Sequence, residues 1–148
     1  MSVSPGQSIH FHYLVSPFSF PGRTILKGFL ARMIRTEGFR IAHINYIFCD
    51  DPFLLQLNQE FLQHNTYTDI ITFDNSEDPE VIEGDIFISV ERIRENASKF
   101  DIPFEEELRR VIIHGVLHLL GYSDKSSDDK IAMRGKEDAY LSLFQRST

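Results

Sequence analysis

Alternation of apolar and polar residues in four short segments of the chain predicts β-strands. They are IHFHYLVS from Ile9 to Ser16, IAHINYIFCD from Ile41, TDIITFD around Ile70 and GDIFISV around Phe87. In the second segment, Ile44, Tyr46 and Phe48 share one face of the strand, and we expect that face in the core. The acidic, proline-containing segment NSEDPEVIE is expected to be a loop between the last two strands.

Apolar residues at helical spacing predict five helices. Their sequences are RTILKGFLARMIRTE after Gly22, PFLLQLNQEFLQ after Asp51, ERIRENASKF from Glu91, PFEEELRRVIIHGVLHLLG from Pro103 and SSDDKIAMRGKEDAYLSLF from Ser126. Prolines, serines and aspartates at the starts of helices and glycines at their ends are typical boundaries. The residues expected to face the core are Ile25, Phe29, Met33 and Ile34 in the first helix and Ile131, Ala132, Ala139, Leu141 and Phe144 in the last.

Interleaved strands and helices predict an α/β or α+β fold. We expect a single mixed sheet of about four strands, packed with about five helices, with a metal site at the end of a buried helix. The chain has 148 residues, the usual size of one domain, and it shows no internal repeat. A single hydrolase domain over residues 1–148 is therefore expected.

The charge and composition argue against several classes of protein. The formal net charge of −7 disfavours a protein that coats nucleic acid through lysine and arginine. The single cysteine, Cys49, cannot form a disulfide within the chain, and the first residues lack the pattern of a secretion signal. The longest apolar run, residues 111–122, is far shorter than the roughly 20 residues needed to span a bilayer. We therefore expect a cytoplasmic protein without a membrane span.

The segment HGVLHLLGYSD, residues 114–124, is the strongest candidate for chemistry. His114 and His118 lie four residues apart in an apolar helix, so their rings can converge on one ion. Gly121 can end the helix in a left-handed turn, which brings the carboxylate of Asp124 within reach. An isolated HxxxH pair is more often two core histidines, but the added glycine and carboxylate favour a metal. We predict His114, His118 and Asp124 as metal ligands and catalytic residues, with zinc as the ion or another divalent transition metal in its place.

Gly115 separates this site from one well-known class of zinc enzyme. A zinc protease with this histidine spacing has a glutamate as general base directly after the first histidine, where this chain has Gly115. Peptide hydrolysis by that route is therefore disfavoured. We also expect the glycine to leave the front of the metal open to a larger substrate.

Four motifs, in order along the chain, resemble the YbeY-type endoribonucleases, which are bacterial factors of ribosomal RNA maturation. HGVLHLLGYSD is similar to the family pattern HGxLHLxGYDH, which has three histidine ligands. Other family segments resemble LNQEFLQHNTYTDIITF from Leu57, GDIFISVE, and MRGKE from Met133 to Glu137, so the likeness covers about residues 40–141. The resemblance implies a metal-dependent endoribonuclease for single-stranded RNA, with ribosomal RNA and the ribosome or its proteins as partners.

Two residues depart from the family pattern. Asp124 stands where the family usually has its third histidine; a carboxylate also coordinates zinc, but it lowers the formal charge of the site. Leu62 stands where many members have an arginine that helps to engage RNA, so a cationic contact to phosphate is lost. Candidates to replace that cation are Arg92, Arg94 and the basic residues of the first helix.

Residues other than His114, His118 and Asp124 have less specific predicted roles. Thr68 and Asp69, at the start of a strand, either orient the substrate or form a turn, and Ser89 is expected in the same cleft. Met133 is expected to pack beneath the metal, and Glu137 to support a ligand or lie on the helix surface rather than to bind the ion. The remaining histidines lack ligand spacing and are expected in strands or loops; they are His10, His12, His43 and His64.

The leading hypothesis for function is metal-assisted hydrolysis of single-stranded RNA, in which the ion polarises a phosphoryl oxygen and activates water. The sequence leaves both water and the RNA 2′-hydroxyl open as the attacking group. Two alternatives stand beside this hypothesis. One is a ribosome-associated metal-binding module without nuclease activity, which the loss of the arginine at Leu62 favours. The other is a metal-dependent hydrolase of a different substrate.

Overall fold

The computed structural model describes residues 8–15, 20–62 and 68–147, which form four strands and five helices. In chain order these are β1 (Ile9–Tyr13), α1 (Arg23–Thr36), β2 (Arg40–Cys49), α2 (Asp51–Phe61), β3 (Ile70–Asp74), β4 (Val81–Ser89), α3 (Val90–Phe100), α4 (Phe104–Leu119) and α5 (Ser127–Ser147). The strands form one mixed sheet in the order β1-β2-β4-β3, so the predicted α+β class is confirmed. Within these ranges no helix is both long and apolar enough to cross a membrane.

The sheet is mostly parallel. β1, β2 and β4 run in one direction, and β3 pairs antiparallel with β4. α1 provides the crossover that two neighbouring parallel strands require. β4 begins at Val81 rather than near Gly84, because Val81 and Ile82 pair with β2. The acidic loop between β3 and β4 therefore ends earlier than predicted. Ser16, the predicted end of the first strand, lies outside the described residues.

The main core lies between one face of the sheet and helices α1, α4 and α5, and it includes Val90 and Ile93 of α3. Ile44, Tyr46 and Phe48 are buried on this face, as predicted. The hydroxyl of Tyr46 donates to the carbonyl of Ile112 in α4 at 2.7 Å, which satisfies both buried groups. The opposite face has a smaller apolar cluster, which consists of Cys49, Leu54 and Ile71. Burial and a direct polar contact thus fix α4 against the centre of the sheet.

The buried face of α1 is close to the predicted one. Phe29, Met33 and Ile34 are buried, but Ile25 is 58% exposed and its neighbour Leu26 is buried instead. The buried stripe is therefore displaced by one residue at the start of the helix.

The buried face of α5 differs more from the prediction. Leu141 and Phe144 are buried, whereas Ile131, Ala132 and Ala139 are exposed. The buried stripe instead runs through Met133, Glu137 and Tyr140 before it reaches the predicted residues. Because this stripe contains a carboxylate, a search for apolar positions at helical spacing does not find it.

α4 approaches the sheet closely at Gly115. A Cβ atom on Gly115 would lie 2.9 Å from Cγ2 of Ile86 in β4 and 3.0 Å from Cδ1 of Ile70 in β3. Both distances are shorter than van der Waals contact, so glycine is what allows the helix to pack at this separation. Gly115 therefore faces the sheet, and the prediction that it leaves the front of the metal open is wrong.

We expect Gly115→Ala to destabilise the protein by about 1–3 kcal/mol, because the added methyl group must displace packed core side chains. The matched control is Gly135→Ala in α5, where no heavy atom lies within 4 Å of the added Cβ. Alanine there should stabilise the helix by roughly 0.5–1 kcal/mol. Urea unfolding measures both effects. An unchanged or higher unfolding midpoint for Gly115→Ala would contradict the close packing.

Candidate metal centre

His114 and His118 lie on one face of the second half of α4. The helix has three glutamates in its first turn, where negative charge interacts favourably with the helix dipole. One helical turn separates the two imidazole rings, whose centroids are 4.5 Å apart at an interplanar angle of 82°. Both side chains are partly buried and line an open cleft. α4 therefore presents two ring nitrogens to the same space.

The turn after α4 brings Asp124 to these rings. The backbone N–H groups of Gly121 and Tyr122 each donate to a carbonyl of the last turn of α4 at 3.0 Å, which is a Schellman ending. Gly121 has a φ of +104°, a conformation that side-chain-bearing residues rarely adopt. As a result, Oδ2 of Asp124 lies 3.4 Å from Nε2 of His114 and 3.4 Å from Nε2 of His118.

Two of the three distances between these donor atoms fit one tetrahedral ion. Zinc bonds of about 2.0–2.2 Å place two ligands of a tetrahedron roughly 3.3–3.6 Å apart. Both histidine-to-aspartate distances fall in that range, and all three donor atoms lie within 4.8 Å of one another. Over the described ranges, this is the one group of three or more histidine, cysteine, aspartate or glutamate residues with such spacing. The residues can therefore hold a metal ion.

Glu137 of α5 orients His114 from behind. Its Oε2 lies 2.6 Å from Nδ1 of His114, and its Oε1 accepts from Nη1 of Arg110 at 2.9 Å. Burial raises the pKa of Glu137, but the hydrogen bonds from His114 and Arg110 outweigh burial and bring the pKa below its ordinary value. An ionised carboxylate can only accept, so Nδ1 of His114 is the donor and the Nε2 lone pair of the neutral ring is free for a metal. Glu137 thus contacts a candidate ligand, which is the geometry that the first of its two predicted roles requires.

The two histidines differ in pKa. Burial lowers the pKa of His114, yet the hydrogen bond and charge of Glu137 outweigh burial and raise the pKa above its ordinary value. Burial and the charge of His114 lower the pKa of His118. His118 is therefore neutral at pH 7, which is the form that coordinates a metal. At His114, a metal has to compete with a proton that Glu137 favours.

The three residues open into a cleft of about 550 Å³ that is lined by β3, α3, α4 and α5. Its carboxylates and guanidinium groups are Asp69, Glu107, Asp124, Glu137, Arg110 and Arg134. Burial raises the pKa of Asp69 and of Glu107 above the ordinary values of these side chains. Because carboxylates outnumber guanidinium groups, a divalent cation would bring the lining close to neutrality.

Other predicted site residues have mixed outcomes. Thr68 and Asp69 line the cleft, and their role there stays a prediction. Ser89 is fully buried; its hydroxyl donates to Asp51 at 2.6 Å and accepts from the N–H of Arg92. The prediction that Ser89 lines the cleft is wrong, because this residue ends β4 and caps α3. Met133 is buried in the main core, as expected of an apolar helix residue.

The remaining histidines of the described chain lie in strands. His10 and His12 belong to β1 and His43 to β2, and the rings of His10 and His43 are 5.0 Å apart. These residues form no triad with a carboxylate within the described ranges. His64 lies outside the described residues, as does part of the motif that precedes β3.

The predicted replacements for the family arginine do not line the cleft, and their contact with RNA stays a prediction. Among the described residues, Arg92, Arg94 and the basic residues of α1 are absent from the cleft lining, whereas Leu62 is part of it. Arg92 is paired with two carboxylates. The cleft instead has Arg110 and Arg134, which the sequence analysis did not assign to the site. Their position becomes evident only when α4 and α5 are packed together.

Glu37, the residue that follows α1, fixes the turn that carries Asp124. The hydroxyl of Tyr122 donates to Oε1 of Glu37 at 2.6 Å, while the Tyr140 hydroxyl and the Lys136 ammonium donate to Oε2. Burial raises the pKa of Glu37, but these three hydrogen bonds outweigh burial and lower the pKa below its ordinary value. Tyr122 lies two residues before Asp124, in the turn after α4. Glu37 therefore connects this turn to the end of α1 and to α5.

We expect Glu37→Gln to lower the free energy of unfolding at pH 7 by about 1–3 kcal/mol, because hydrogen bonds to a charged acceptor are lost. The folded-state pKa lies below the ordinary value of 4.5. The ionised group therefore stabilises the fold above that value, and its contribution disappears as the pH falls through the folded-state pKa. Chemical unfolding at neutral and acidic pH measures the difference between wild type and variant. A difference that does not shrink in acid would contradict the assignment, and Glu60→Gln, at an exposed site, is the control.

Comparison with known proteins confirms the predicted resemblance. The family described as Endoribonuclease YbeY matches residues 22–145. A protein of that name from Flavobacterium psychrophilum is 52% identical over 136 residues, which are 92% of this chain and 96% of that protein. Another from Cytophaga hutchinsonii is 47% identical over 137 residues, which are 93% and 96% of the two chains. The solution structure of TM1509 from Thermotoga maritima matches with a TM-score of 0.64 at 29% identity, over 94% of this chain and 90% of that one. The chain belongs to the family of the endoribonuclease YbeY.

Proposed function

We propose that this chain is a metal-dependent endoribonuclease that cleaves single-stranded RNA in ribosomal RNA maturation and ribosome quality control, in the cytoplasm. The observation that carries the proposal is the convergence of donor atoms from His114, His118 and Asp124, all within 4.8 Å of one another, at an open cleft. Relatives named as endoribonucleases support RNA as the substrate class. The resemblance to rRNA maturation factors supports the ribosome as a partner. The single sheet supports one hydrolase domain over residues 1–148.

In this proposal His114, His118 and Asp124 hold one zinc ion and act as the catalytic residues. Two imidazoles and a carboxylate are ordinary zinc ligands, and three protein ligands leave one position for water or substrate. When bound, the ion would polarise a phosphoryl oxygen and activate water. Aspartate in place of a third histidine makes the site less positive, so it would acidify water less.

Other side chains of the cleft orient the candidate ligands and can exchange protons with the substrate. Glu137 holds the proton of His114 at Nδ1, and Arg110 helps to keep Glu137 ionised. Asp69 and Glu107 have pKa values shifted towards neutral pH, so they are suited to exchange a proton with substrate. Their negative charge disfavours RNA in the absence of the ion. RNA affinity should therefore depend on bound metal.

The proposal is tested by offering single-stranded RNA, duplex RNA, a peptide and an ester to the protein. Metal-loaded, chelator-treated and re-metallated samples are compared. We expect cleavage of single-stranded RNA, loss of cleavage after chelation, and recovery with zinc or another divalent transition metal. Hydrolysis of the peptide or ester with intact RNA would instead identify a different hydrolase. Ribosome binding without hydrolysis of any substrate would identify a metal-binding module.

A further inference from the structure

Two cleft residues have properties that suit RNA and take no part in the metal centre. They are Arg134 of α5 and Phe100, the last residue of α3. Both are exposed and line the same cleft as the metal candidates. The cleft therefore combines a guanidinium group from α5, an aromatic ring from α3, and the candidate metal ligands of α4 and the turn that follows it.

Arg134 is the guanidinium group available to a ligand. The other one in the cleft, Arg110, donates to Glu137 and Asp138 at 2.9 and 2.7 Å. Among the described residues Arg134 has neither a hydrogen bond nor an ion pair, and its charge acts on Glu107 in the same cleft. It also lies three residues before Glu137 on α5, so both side chains reach the cleft from one face of the helix.

Phe100 is unusually exposed for an aromatic residue. Its side chain is 57% exposed although it lines a cleft with a charged centre. The ammonium group of Lys99 lies 5.8 Å from the ring centroid, so a cation stands beside the aromatic surface. Leu62, which is 43% exposed, adds a second apolar side chain to the lining. Aromatic rings on which bases stack, together with cations for the backbone, are how proteins bind single-stranded nucleic acid.

We infer that Arg134 and Phe100 form the RNA-binding lining of this cleft, in which the guanidinium group contacts a backbone phosphate and the ring stacks on a base. The inference deepens the proposed function and rests on it. It gives the chain a phosphate contact from α5 in place of the arginine that Leu62 replaces. It also gives a reason for preferring single strands, because the bases of a duplex are already stacked on each other.

The phosphate contact is tested by Arg134→Met in metal-loaded protein. Binding of a labelled single-stranded RNA is titrated at several salt concentrations, and the RNA is checked for integrity afterwards. One lost phosphate contact should reduce the salt dependence, log Kd against log salt, by about 0.7 and weaken binding about 5-fold at roughly 0.1 M salt. Arg134→Lys should keep the salt dependence, and Arg146→Met, at an exposed position on the same helix, is the matched control. An unchanged salt dependence in Arg134→Met would overturn this part of the inference.

The base contact is tested by Phe100→Ala in the same assay. Loss of one stacked base should weaken single-strand binding roughly 5- to 150-fold and leave weak duplex binding unchanged. Phe100→Tyr should retain affinity because the ring is kept. Phe61→Ala removes a similarly exposed aromatic ring that is not part of the cleft, and it should bind as wild type does. Equal losses for single-strand and duplex RNA, or no loss, would overturn the stacking assignment.

Different results would overturn the RNA-binding inference and the proposed function. If wild type binds and cleaves single-stranded RNA but Arg134→Met and Phe100→Ala match it, the inference alone is overturned. If wild type neither binds nor cleaves RNA, the proposed function fails and the inference fails with it.

Discussion

Replacing His114 by alanine is expected to reduce RNA cleavage by at least about 10³-fold. Metal assistance contributes several kcal/mol to transition-state stabilisation, and each 1.36 kcal/mol corresponds to a tenfold change in rate. The substitution removes one of three donor atoms and also one of the hydrogen bonds that keep Glu137 ionised. Cleavage rate and bound metal should be measured on the same preparation, because both should be lost together.

His10→Ala is the matched control for this variant. It removes an exposed imidazole that lies beside His43. Among the described residues, His10 belongs to no group of three side chains that could hold a metal. Metal content and cleavage should then equal those of wild type. A circular dichroism melt of His114→Ala without metal shows whether the fold persists. A folded His114→Ala protein that cleaves RNA at the wild-type rate would contradict the role of His114.

The second large effect is expected for Glu137→Gln, which keeps the shape of the side chain but removes its charge. A neutral amide accepts the hydrogen bond from Nδ1 of His114 less strongly than a carboxylate does. Nε2 therefore becomes less basic and binds a metal less tightly. Partners of this kind typically change metal affinity or activity by 10- to 100-fold, and we expect about that loss in metal affinity. Competition with a fluorescent chelator measures the affinity directly.

Asp138→Asn is the control for Glu137→Gln. Asp138 is the next residue and also accepts from Arg110, at 2.7 Å, but it has no contact with His114 among the described residues. Its substitution tests whether loss of a carboxylate at Arg110 is enough to weaken the site. Equal losses of metal affinity in both variants would show that Glu137 does not act through His114.

The central residues of the candidate site could be predicted because their geometry is local. Two histidines four apart share a helix face wherever that helix is placed, and Gly121 ends the helix by bonds within the same turn. A short stretch of chain therefore brings Asp124 near His118, and the contact of Tyr122 with Glu37 then holds the turn in place. The fold class was accessible for a similar reason, since apolar alternation along β2 already defines its buried face.

The supporting residues could not be assigned from the sequence because they come from separate elements. Glu137 and Arg134 reach the cleft from α5, whose buried stripe contains a carboxylate and gives a weak helical pattern. Gly115 was instead wrongly assigned to the site, because it was predicted to face the metal and it faces the sheet. Its neighbour His114 faces the cleft, but only the packing of α4 on β3 and β4 reveals that Gly115 faces the sheet. Helix orientation about its own axis is a tertiary property.

Elemental analysis of purified wild type and Asp124→Ala tests the metal centre most directly. His114, His118 and Asp124 as ligands of one ion predict about one equivalent of transition metal in wild type and little or none in the variant. Asp124→His, which introduces another ordinary zinc ligand, should restore the metal. Wild type without bound metal after exposure to zinc, or Asp124→Ala with a full equivalent, would show that these three residues are not the ligands of one ion.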